Sequence, residues 1–264
     1  MIILSRMKSM VPLSKKDIES NLRRDAEVSV FDTVDSTNNE AKRMMEAGFS
    51  GYAVICAEAQ TCGRGRLGRS FYSPESTGLY FTVIIPPCFP IENLSLLTPA
   101  AAVAVRRALV KHTAADLKIK WVNDIYAEDK KVCGILAESV MDVENGGFAG
   151  FAVGIGINIS TEEFPEDIAS IASSLHIQGA DRNGITADIA STLWEFAQNL
   201  SAREFMPEYR DNSYVAGKKI YFIKNGEKTD ATALGIDDDG GLAVRLETGG
   251  ETLLRGGEIS VRLK

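Results

Sequence analysis

The stretch Gly63-Arg64-Gly65-Arg66-Leu67-Gly68-Arg69 sets the frame for the rest of this chain. It combines three glycines and three arginines within seven residues, and no acidic residue lies between Gln60 and Pro74. Glycine leaves backbone N–H groups uncovered, and arginine supplies forked donors that match phosphate and carboxylate oxygens. The stretch therefore predicts a loop that binds an anionic small molecule, with a solvated basic turn and a nucleic-acid patch as alternatives.

The bulk composition is that of an ordinary globular protein. Of 264 residues, 45% are hydrophobic and 25% are charged, so the chain can bury a substantial core in one large domain, or in a large and a small one. The net charge of -7 argues against a general nucleic-acid binder, because phosphate contacts supply most non-specific affinity. The basic residues within 1–27 predict a short basic segment and not a domain.

Cysteine and histidine usage argues against several kinds of site. None of the four cysteines has C-x-x-C spacing and the chain holds two histidines, so no zinc site is expected. Cys56 and Cys133 lie in apolar runs and are predicted core residues, whereas Cys62 is a small filler residue or a reactive thiol. The start lacks a signal-peptide pattern and no apolar run approaches about 18 residues, which predicts a cytoplasmic protein without membrane spans.

Apolar runs and turn signals predict an α/β region followed by a small β region. Strands are predicted at 28–34, 53–58, 78–86, 117–121, 131–140 and 148–156. Helices are predicted at 14–24, 94–113, 186–200 and 204–212, with another running from the polar turn at 35–39 to 47, and a mobile polar loop at 160–167. Five short strands between 218 and 262, with turns such as Asn225-Gly226, predict a small β-barrel. The predicted divisions are 1–27, 28–213 and 214–264.

Polar residues cluster at the ends of the predicted strands, where ligands collect in α/β sheets. The residues at these ends are Ser36, Thr37, Asn38, Gln60, Asn123, Asp124, Lys131 and Asn158. Lys131 can stabilise charge that develops at phosphorus, and Asp124 can hold Mg²⁺ through one carboxylate. The hydroxyl and amide groups of Ser36, Thr37 and Gln60 suit a small polar head group.

Two common catalytic arrangements are missing from the sequence. The Gly-x-x-x-x-Gly-Lys-Ser/Thr pattern of a P-loop does not occur. A Ser–His–Asp set is not expected either, because the two histidines, His112 and His176, are predicted surface residues. Phosphate chemistry that works by positioning and electrostatics is therefore favoured over nucleophilic hydrolysis.

Six short motifs follow one another along the chain. They are Asp-Ser-Thr-Asn at 35–38, Gln-x-x-Gly-Arg-Gly-Arg-x-Gly-Arg at 60–69, Lys-Trp-Val-Asn-Asp at 120–124, Lys-Val-Cys-Gly-Ile-Leu-Ala-Glu at 131–138, Gly-Ile-Gly-Ile-Asn at 154–158 and Gly-Gly-Glu-Ile-Ser-Val-Arg at 256–262. In this order and spacing the chain resembles bacterial biotin–protein ligases, the biotin–[acetyl-CoA-carboxylase] ligases, over about residues 28–264. The resemblance implies a mixed α/β catalytic domain followed by an SH3-like barrel.

The chain departs from the family pattern in two ways. Val122 stands where the family usually has proline, which loosens a pre-set turn but keeps the polar side chains after it. About 27 residues precede Val28, too few for the winged helix-turn-helix domain of some members. The resemblance therefore implies the monofunctional type, without a DNA partner.

The resemblance also implies which residues bind biotin. The implied biotin-binding residues are Ser36, Thr37, Asn38, Gln60, Arg64, Gly65, Arg66 and Lys131. Ser36, Thr37 and Gln60 would hydrogen-bond the ureido ring, with Asn38 nearby. The three loop residues would close over the biotin carboxylate and the α-phosphate. Lys131 would contact the carboxylate–phosphate junction and form the catalytic set with Arg64 and Arg66.

A second implied set binds the nucleotide. Its members are Arg66, Arg69, Phe71, Asn123, Asp124, Lys131 and Asn158, with Glu258 and Arg262 reaching in from the barrel. Phe71 would stack on adenine and Asn158 would contact it, while Arg69 would meet the ATP phosphates. Asn123 and Asp124 would serve the nucleotide and its Mg²⁺.

The implied activity is an ATP-dependent ligase that forms biotinoyl-5′-AMP and transfers biotin to a lysine of a biotin carboxyl carrier domain of a carboxylase. No membrane partner is expected, and a homodimer through an exposed sheet edge stays open. Three alternatives remain: a lipoate- or octanoyl-transferring relative, a non-catalytic biotin-responsive regulator, and an interaction protein that uses its barrel alone. The Gly-Arg-Gly-Arg stretch and the barrel favour biotin over lipoate.

Overall fold

The computed structural model describes residues 10–144, 146–224, 226–256 and 260–264. Glu258, implied above as a nucleotide contact, lies outside the described residues, as do Asn225 and the first part of the basic segment. Within the described part, no helix has the length and apolar character needed to cross a membrane.

A seven-stranded mixed sheet forms the centre of the molecule. Its strands are β1 (Glu27–Val34), β2 (Ala53–Gln60), β3 (Gly78–Ile85), β4 (Lys118–Lys120), β5 (Asp124–Ala127), β6 (Lys130–Met141) and β7 (Phe148–Asn158). The spatial order is β1-β2-β3-β7-β6-β5-β4. β1 and β2 are parallel, and every other neighbouring pair is antiparallel. The predicted mixed α/β fold is confirmed.

Helices cover both faces of this sheet. Successive strand residues point to opposite faces, so Ala53 and Ile55 of β2 join the apolar cluster of α2 (Thr37–Glu46), whereas Val54 and Cys56 join the larger core. That larger core includes α3 (Leu97–Leu109) and α4 (Arg182–Gln198). Cys56 and Cys133 are fully buried, as predicted, while Cys62 is exposed.

Two predicted helix boundaries are wrong, for identifiable reasons. The predicted helix at 94–113 is a 3₁₀ turn, Ile91–Leu96, followed by α3, Leu97–Leu109. Pro99 has no N–H to donate and so fits the first turn of an α-helix. α4 begins at Arg182, before the predicted 186, because the Asp181 side chain accepts a hydrogen bond from the Gly184 N–H and caps the helix. The next helix, α5, spans Met206–Asp211.

The described N-terminal segment is docked onto the sheet. Its helix α1 (Lys15–Asn21) is capped by Ser14, whose Oγ accepts from the Asp17 N–H at 3.2 Å. Arg182, 2% exposed, forms a bidentate pair with Glu58 on β2 at 2.7 and 2.9 Å. Arg182 Nε also donates to the Val11 carbonyl at 3.1 Å. The segment is thereby fixed behind the strand that leads into the basic loop.

The C-terminal part is a five-stranded antiparallel sheet of barrel-like form. Its strands are β8 (Lys219–Lys224), β9 (Glu227–Ile236), β10 (Leu242–Leu246), β11 (Glu251–Leu254) and β12 (Ser260–Leu263), in the order β11-β10-β9-β8-β12. The five predicted strands are therefore confirmed. Their buried residues belong to the same apolar cluster as the large sheet, and the division at 214 stays a prediction.

Candidate active site

The basic loop between β2 and Phe71 is ordered by its own backbone. Gly65 N–H donates to the Arg69 carbonyl at 2.7 Å, and Phe71 N–H donates to the Gly63 carbonyl at 2.8 Å. A Cβ on Gly63 would collide with the Phe71 carbonyl, so only glycine fits there. The arginine side chains are thus presented from a defined turn.

A first cavity lies between this loop and the start of α2. The residues that line it include Ser36, Thr37, Asn38, Gln60, Arg64, Gly65, Arg66, Phe71, Asn123, Lys131, Gly134, Gly154 and Gly156. All eight residues that the resemblance assigns to biotin are among them. Ser36, Thr37 and Asn38 are almost completely buried, at 1–3% exposure.

Hydrogen bonds fix the polar wall of this first cavity. Gln60 Oε1 accepts from the Thr37 N–H at 2.9 Å, and Gln60 Nε2 donates to Ser73 Oγ at 2.9 Å. Thr82 Oγ1 lies 2.8 Å from Thr37 Oγ1 and 2.7 Å from Asn38 Oδ1. Sequence reasoning missed Thr82 and Ser73. Thr82 is the one threonine in a strand of otherwise apolar and aromatic residues, and that was the available signal.

Glu138 pairs with two positively charged side chains beside the first cavity. Its Oε1 accepts from Lys42 Nζ at 2.7 Å and from Arg64 at 3.0 Å, and its Oε2 accepts from Asn38 Nδ2 at 2.9 Å. Burial alone would raise the pKa of Glu138, but these hydrogen bonds and the charges of Lys42 and Arg64 lower it. The carboxylate therefore remains ionised at neutral pH and holds Arg64 of the loop over the cavity.

A second, larger cleft adjoins the first. Its lining includes Arg66, Arg69, Phe71, Tyr72, Lys120, Asn123, Asp124, Tyr126, Lys131, Asn158, Phe164, Ile168 and, from β12, Arg262. Every residue that the resemblance assigns to the nucleotide, Glu258 apart, is among them. The loop predicted at 160–167 contributes Phe164, whose ring lies 6.3 Å from that of Tyr72.

The two cavities meet at Arg66, Asn123 and Lys131, which line both. Arg66 donates to Asn123 Oδ1 at 3.1 Å, and Asn123 Nδ2 donates to the Ile135 carbonyl at 2.8 Å. Lys131 Nζ lies 2.7 Å from Asp124 Oδ1. Positive charge is therefore concentrated where an acid in the first cavity would meet a phosphate in the second.

Phe71 forms part of both cavities because glycines make room for its ring. A Cβ on Gly156 would lie 2.5 Å from the Phe71 ring, and one on Gly134 would lie 3.2 Å from it. Lys131 Nζ is 5.9 Å from the ring centroid. The ring face is thus presented beside the cationic groups of the cleft.

Lys120 is a cleft residue that sequence reasoning did not single out, although the Lys-Trp-Val-Asn-Asp motif begins with it. It is 7% exposed, and its Nζ donates to Tyr126 Oη at 2.8 Å. Burial, and then the charges of Arg262, Lys131 and Arg69, lower the pKa of Lys120 from its usual 10.5 to about 8, against the opposing effect of Asp124. Burial therefore destabilises the charged form of Lys120, and a bound anion would stabilise it.

Metal binding by protein groups alone is not supported in the described ranges. Nowhere in them do three His, Cys, Asp or Glu side chains come together in a way that could hold an ion. Asp124 offers a single carboxylate in the second cleft, which suits Mg²⁺ that arrives with phosphate ligands of its own.

Comparison with known proteins agrees with this architecture. The biotin/lipoate A/B protein ligase family matches residues 30–158. The bifunctional ligase/repressor BirA of Bacillus spizizenii is 31% identical over 228 residues, which is 83% of this chain and 69% of that protein. The biotin–[acetyl-CoA-carboxylase] ligase of Mycobacterium tuberculosis is 30% identical over 210 residues, 76% of this chain and 75% of that one. The solved biotin protein ligase of Aquifex aeolicus in complex with biotin and ATP, 29% identical, covers 90% of this chain and 99% of its own, with a TM-score of 0.76.

The relatives, whose architecture this mixed sheet shares, identify the class of protein as an enzyme of the ligase type. The chain belongs to the biotin/lipoate A/B protein ligase family, and the resemblance to biotin–protein ligases seen in its motifs is confirmed. The roles of the individual site residues stay predictions.

Proposed function

We propose that this protein activates biotin with ATP as biotinoyl-5′-AMP and transfers it to a lysine of a biotin carboxyl carrier domain. The observation that carries the proposal is the meeting of an amide- and hydroxyl-lined cavity with a cationic cleft at Arg66, Asn123 and Lys131. The names of the ligases described above, and the biotin and ATP bound by the Aquifex aeolicus protein, support it. A cytoplasmic location, with free cysteines, is part of the proposal.

In the first cavity, Ser36, Thr37 and Gln60 bind the ureido ring of biotin. The preset bonds from Gln60 to Thr37 and Ser73 keep these groups in place before biotin arrives. Asn38, which is tied to Glu138, completes the wall. Polar groups that are already oriented lose little entropy on binding, so the site favours a compact polar ring.

At the junction, Arg64, Gly65 and Arg66 close over the biotin carboxylate and the α-phosphate, and Lys131 contacts both. A carboxylate oxygen of biotin forms a bond to the α-phosphorus while the bond from that phosphorus to the bridging oxygen of pyrophosphate breaks. Positive charges at Arg66 and Lys131 offset the negative charge that builds on the phosphorus oxygens. The products are biotinoyl-5′-AMP and pyrophosphate.

In the second cleft, Phe71 stacks on adenine, Asn158 contacts it, and Arg69 binds phosphates. Asn123 serves the nucleotide, and Asp124 would hold the Mg²⁺ that accompanies ATP, which supplies charge neutralisation between phosphates. Arg262 lines this cleft from the barrel side. Lys120 adds a further buried positive charge for the phosphates.

The second half-reaction uses the same junction. The uncharged amine of the carrier lysine attacks the acyl carbon of the adenylate, the acyl–oxygen bond breaks, and AMP leaves with the bonding electrons. The amine gives up one proton as the amide forms. Because water could attack the same carbon, the ordered basic loop protects the adenylate by covering it.

Gly156→Ala is expected to raise the KM for ATP about tenfold, because the new Cβ would lie 2.5 Å from the Phe71 ring and displace it from the adenine. Gly235→Ala on β9 is the matched control, since nothing lies within 4 Å of its new Cβ. Steady-state kinetics at varied ATP measure the effect. An unchanged KM in the Gly156 variant would argue against stacking on Phe71.

The lowered pKa of Lys120 predicts that the use of ATP depends on pH. As pH rises through about 8, the free enzyme loses the Lys120 charge, so kcat/KM for ATP should fall. This loss is not unfolding: a lysine whose pKa is lowered on folding binds fewer protons than the unfolded chain between about 8 and 10.5, so its contribution to stability rises with pH there. Lys120→Arg should flatten the profile, because arginine keeps its charge. An identical profile in both proteins would exclude this assignment.

The proposed function is tested by ATP–pyrophosphate exchange with biotin, lipoate and octanoate compared in one assay. Exchange that depends on biotin alone is expected. Exchange with lipoate or octanoate instead would mean a relative that transfers those acids. Tight biotin binding without exchange would indicate a biotin-responsive regulator.

A further inference from the structure

The turn that carries Asn123 and Asp124 is held from behind by two buried donors. Tyr209 on α5 is fully buried, and its hydroxyl donates to the Val122 carbonyl at 3.0 Å. Trp121 is 4% exposed, and its indole N–H donates to the Gly240 carbonyl at 2.9 Å. Val122 is also the position where the sequence departs from the family's proline, and its carbonyl is fixed by a side chain from another element.

The Gly240 carbonyl belongs to a hydrogen-bonded turn between β9 and β10. Asp237 Oδ1 accepts from the N–H groups of Asp239 at 3.0 Å and Gly241 at 2.6 Å. Gly240 has a φ of +79°, a left-handed conformation that favours glycine. These bonds fix the position of the Gly240 carbonyl, which accepts the hydrogen bond from Trp121.

Helix α5 and Arg203, three residues before its start at Met206, tie this turn to the large sheet. Arg210, next to Tyr209 in sequence, donates through Nε to the Ile236 carbonyl at 3.0 Å and pairs with Asp238. Arg203 pairs with Asp239 at 2.7 Å. Adjacent residues of one helix thus fasten the barrel turn and the Val122 carbonyl, so the barrel and the Asn123–Asp124 turn are held by one support.

Movement of the Asn123–Asp124 turn would reach the reacting groups directly. Asn123 Oδ1 accepts from Arg66, and Asp124 Oδ1 pairs with Lys131 at 2.7 Å. Tyr209 is not among the residues that line either of the two cavities, so its hydroxyl acts on the nucleotide only through its neighbours. These are the Val122 carbonyl, to which it donates, and the charged Arg66 side chain nearby.

We propose that Tyr209 is a positioning residue for adenylate formation, and that Trp121 joins the barrel to the same task through Gly240. The inference rests on the proposed function, because it assigns the turn to ATP. The hydroxyl of Tyr209 fixes the Val122 carbonyl, which orients Asn123 towards Arg66 and Asp124 towards Lys131. The barrel thereby supports the nucleotide half of the site without its turn at Gly240 touching ATP.

Tyr209→Phe removes one oxygen and leaves the buried ring in place. Because small misplacements of reacting groups are costly, we expect biotin-dependent exchange to fall by about tenfold or more, with a raised KM for ATP. The dissociation constant for biotin should change less than about twofold, since the first cavity has its own hydrogen-bond network. A merely structural role would lower the melting temperature and leave this split between ATP and biotin absent.

Tyr52→Phe is the matched control. Tyr52 is 6% exposed, and its hydroxyl has no hydrogen-bond partner among the described residues, so the same deletion should leave both substrates unaffected. Trp121→Phe, which removes the indole N–H that reaches Gly240, should reproduce the raised KM for ATP. Trp121 also lines the second cleft, so Arg210→Ala decides the question if Tyr209→Phe does not fold. Arg210 lies outside both cavity linings, and its loss removes the bonds to Ile236 and Asp238 that hold the barrel turn.

Calorimetric measurement of ATP binding distinguishes the positioning role of Tyr209 from the proposed function on which it rests. Weaker ATP binding in the Tyr209 and Trp121 variants with unchanged biotin binding supports the positioning role, whether or not exchange is observed. Unchanged ATP binding and exchange in both variants, or equal losses for ATP and biotin, would overturn it. Absence of exchange in the unmodified protein with every acid would instead contradict the proposed function alone.

Discussion

Lys131→Ala is expected to slow biotin-dependent ATP–pyrophosphate exchange by about 10²- to 10³-fold while biotin binding remains measurable. Lys131 lines both cavities, and its ammonium group lies 2.7 Å from Asp124 and 5.9 Å from the centre of the Phe71 ring. From this place it can meet charge that develops as the carboxylate attacks phosphorus. The loss falls on the transition state more than on bound biotin, so the rate should change far more than the biotin affinity.

Lys130→Ala provides the control, because Lys130 is the adjacent residue of β6 and is exposed to solvent. It removes the same side chain and the same charge outside the cavities, and exchange should stay close to that of the unmodified protein. Near-normal exchange in Lys131→Ala would exclude a catalytic role for this lysine. Equal losses in both variants would point to a general effect of charge.

Arg66→Ala is expected to shorten the residence time of bound biotinoyl-5′-AMP by about ten- to a hundredfold, as loss of hydrogen bonds to a charged group would. Arg66 reaches Asn123 at 3.1 Å and lines both cavities. In the proposed reaction it therefore covers the point where acid and phosphate are joined. Without it the loop would no longer retain the adenylate. The measurement is release of adenylate formed from biotin and ATP in a single turnover, followed by rapid filtration.

Arg245→Ala is the comparison for Arg66. Arg245 pairs with Glu251 on the surface of the small sheet, so its loss removes one positive charge far from the loop in sequence and outside the cavity linings. Release from that variant should match the unmodified protein. An undiminished residence time in Arg66→Ala would contradict the covering role of the loop.

The sequence predicted those site residues that lie at the ends of strands. Gln60 ends β2, Asn158 ends β7, and Asn123 and Asp124 lie where β5 begins, so each could be assigned from its local pattern. That these ends share one site follows from the strand order, in which β3 and β7 pair with Gly78 opposite Asn158. Without the motif resemblance, the alternation of polar and apolar residues alone would not have set that order.

Residues inside strands were harder to predict. Thr82 occupies a buried strand and Glu138 closes an apolar run, and each acquires its meaning only from neighbours distant in the chain, 44 residues away for Thr82 and Asn38 and 100 for Asn38 and Glu138. Tyr209 is a stronger example, since its partner carbonyl is 87 residues away. Hydrogen bonds between remote elements leave no periodic signal in a single sequence.

Helix boundaries failed for a local reason. The apolar residues of 94–113 favour one long helix, but Pro99 and the 3₁₀ turn before it set the start of α3 at Leu97. For α4 the relevant signal, Asp181 before the helix, was present in the sequence and outweighed by the apolar pattern further along. The cap and the buried Arg182–Glu58 pair together fix that start.

The most direct test of the central claim uses ATP labelled in its α-phosphate, with biotin and one equivalent of enzyme. We predict that the label stays with the protein as biotinoyl-5′-AMP, and that addition of a biotin carboxyl carrier domain releases it as AMP while one lysine of that domain becomes biotinylated. Labelled adenylate that forms without biotin, or a carrier that becomes biotinylated with no labelled adenylate on the enzyme, would contradict the two-step reaction.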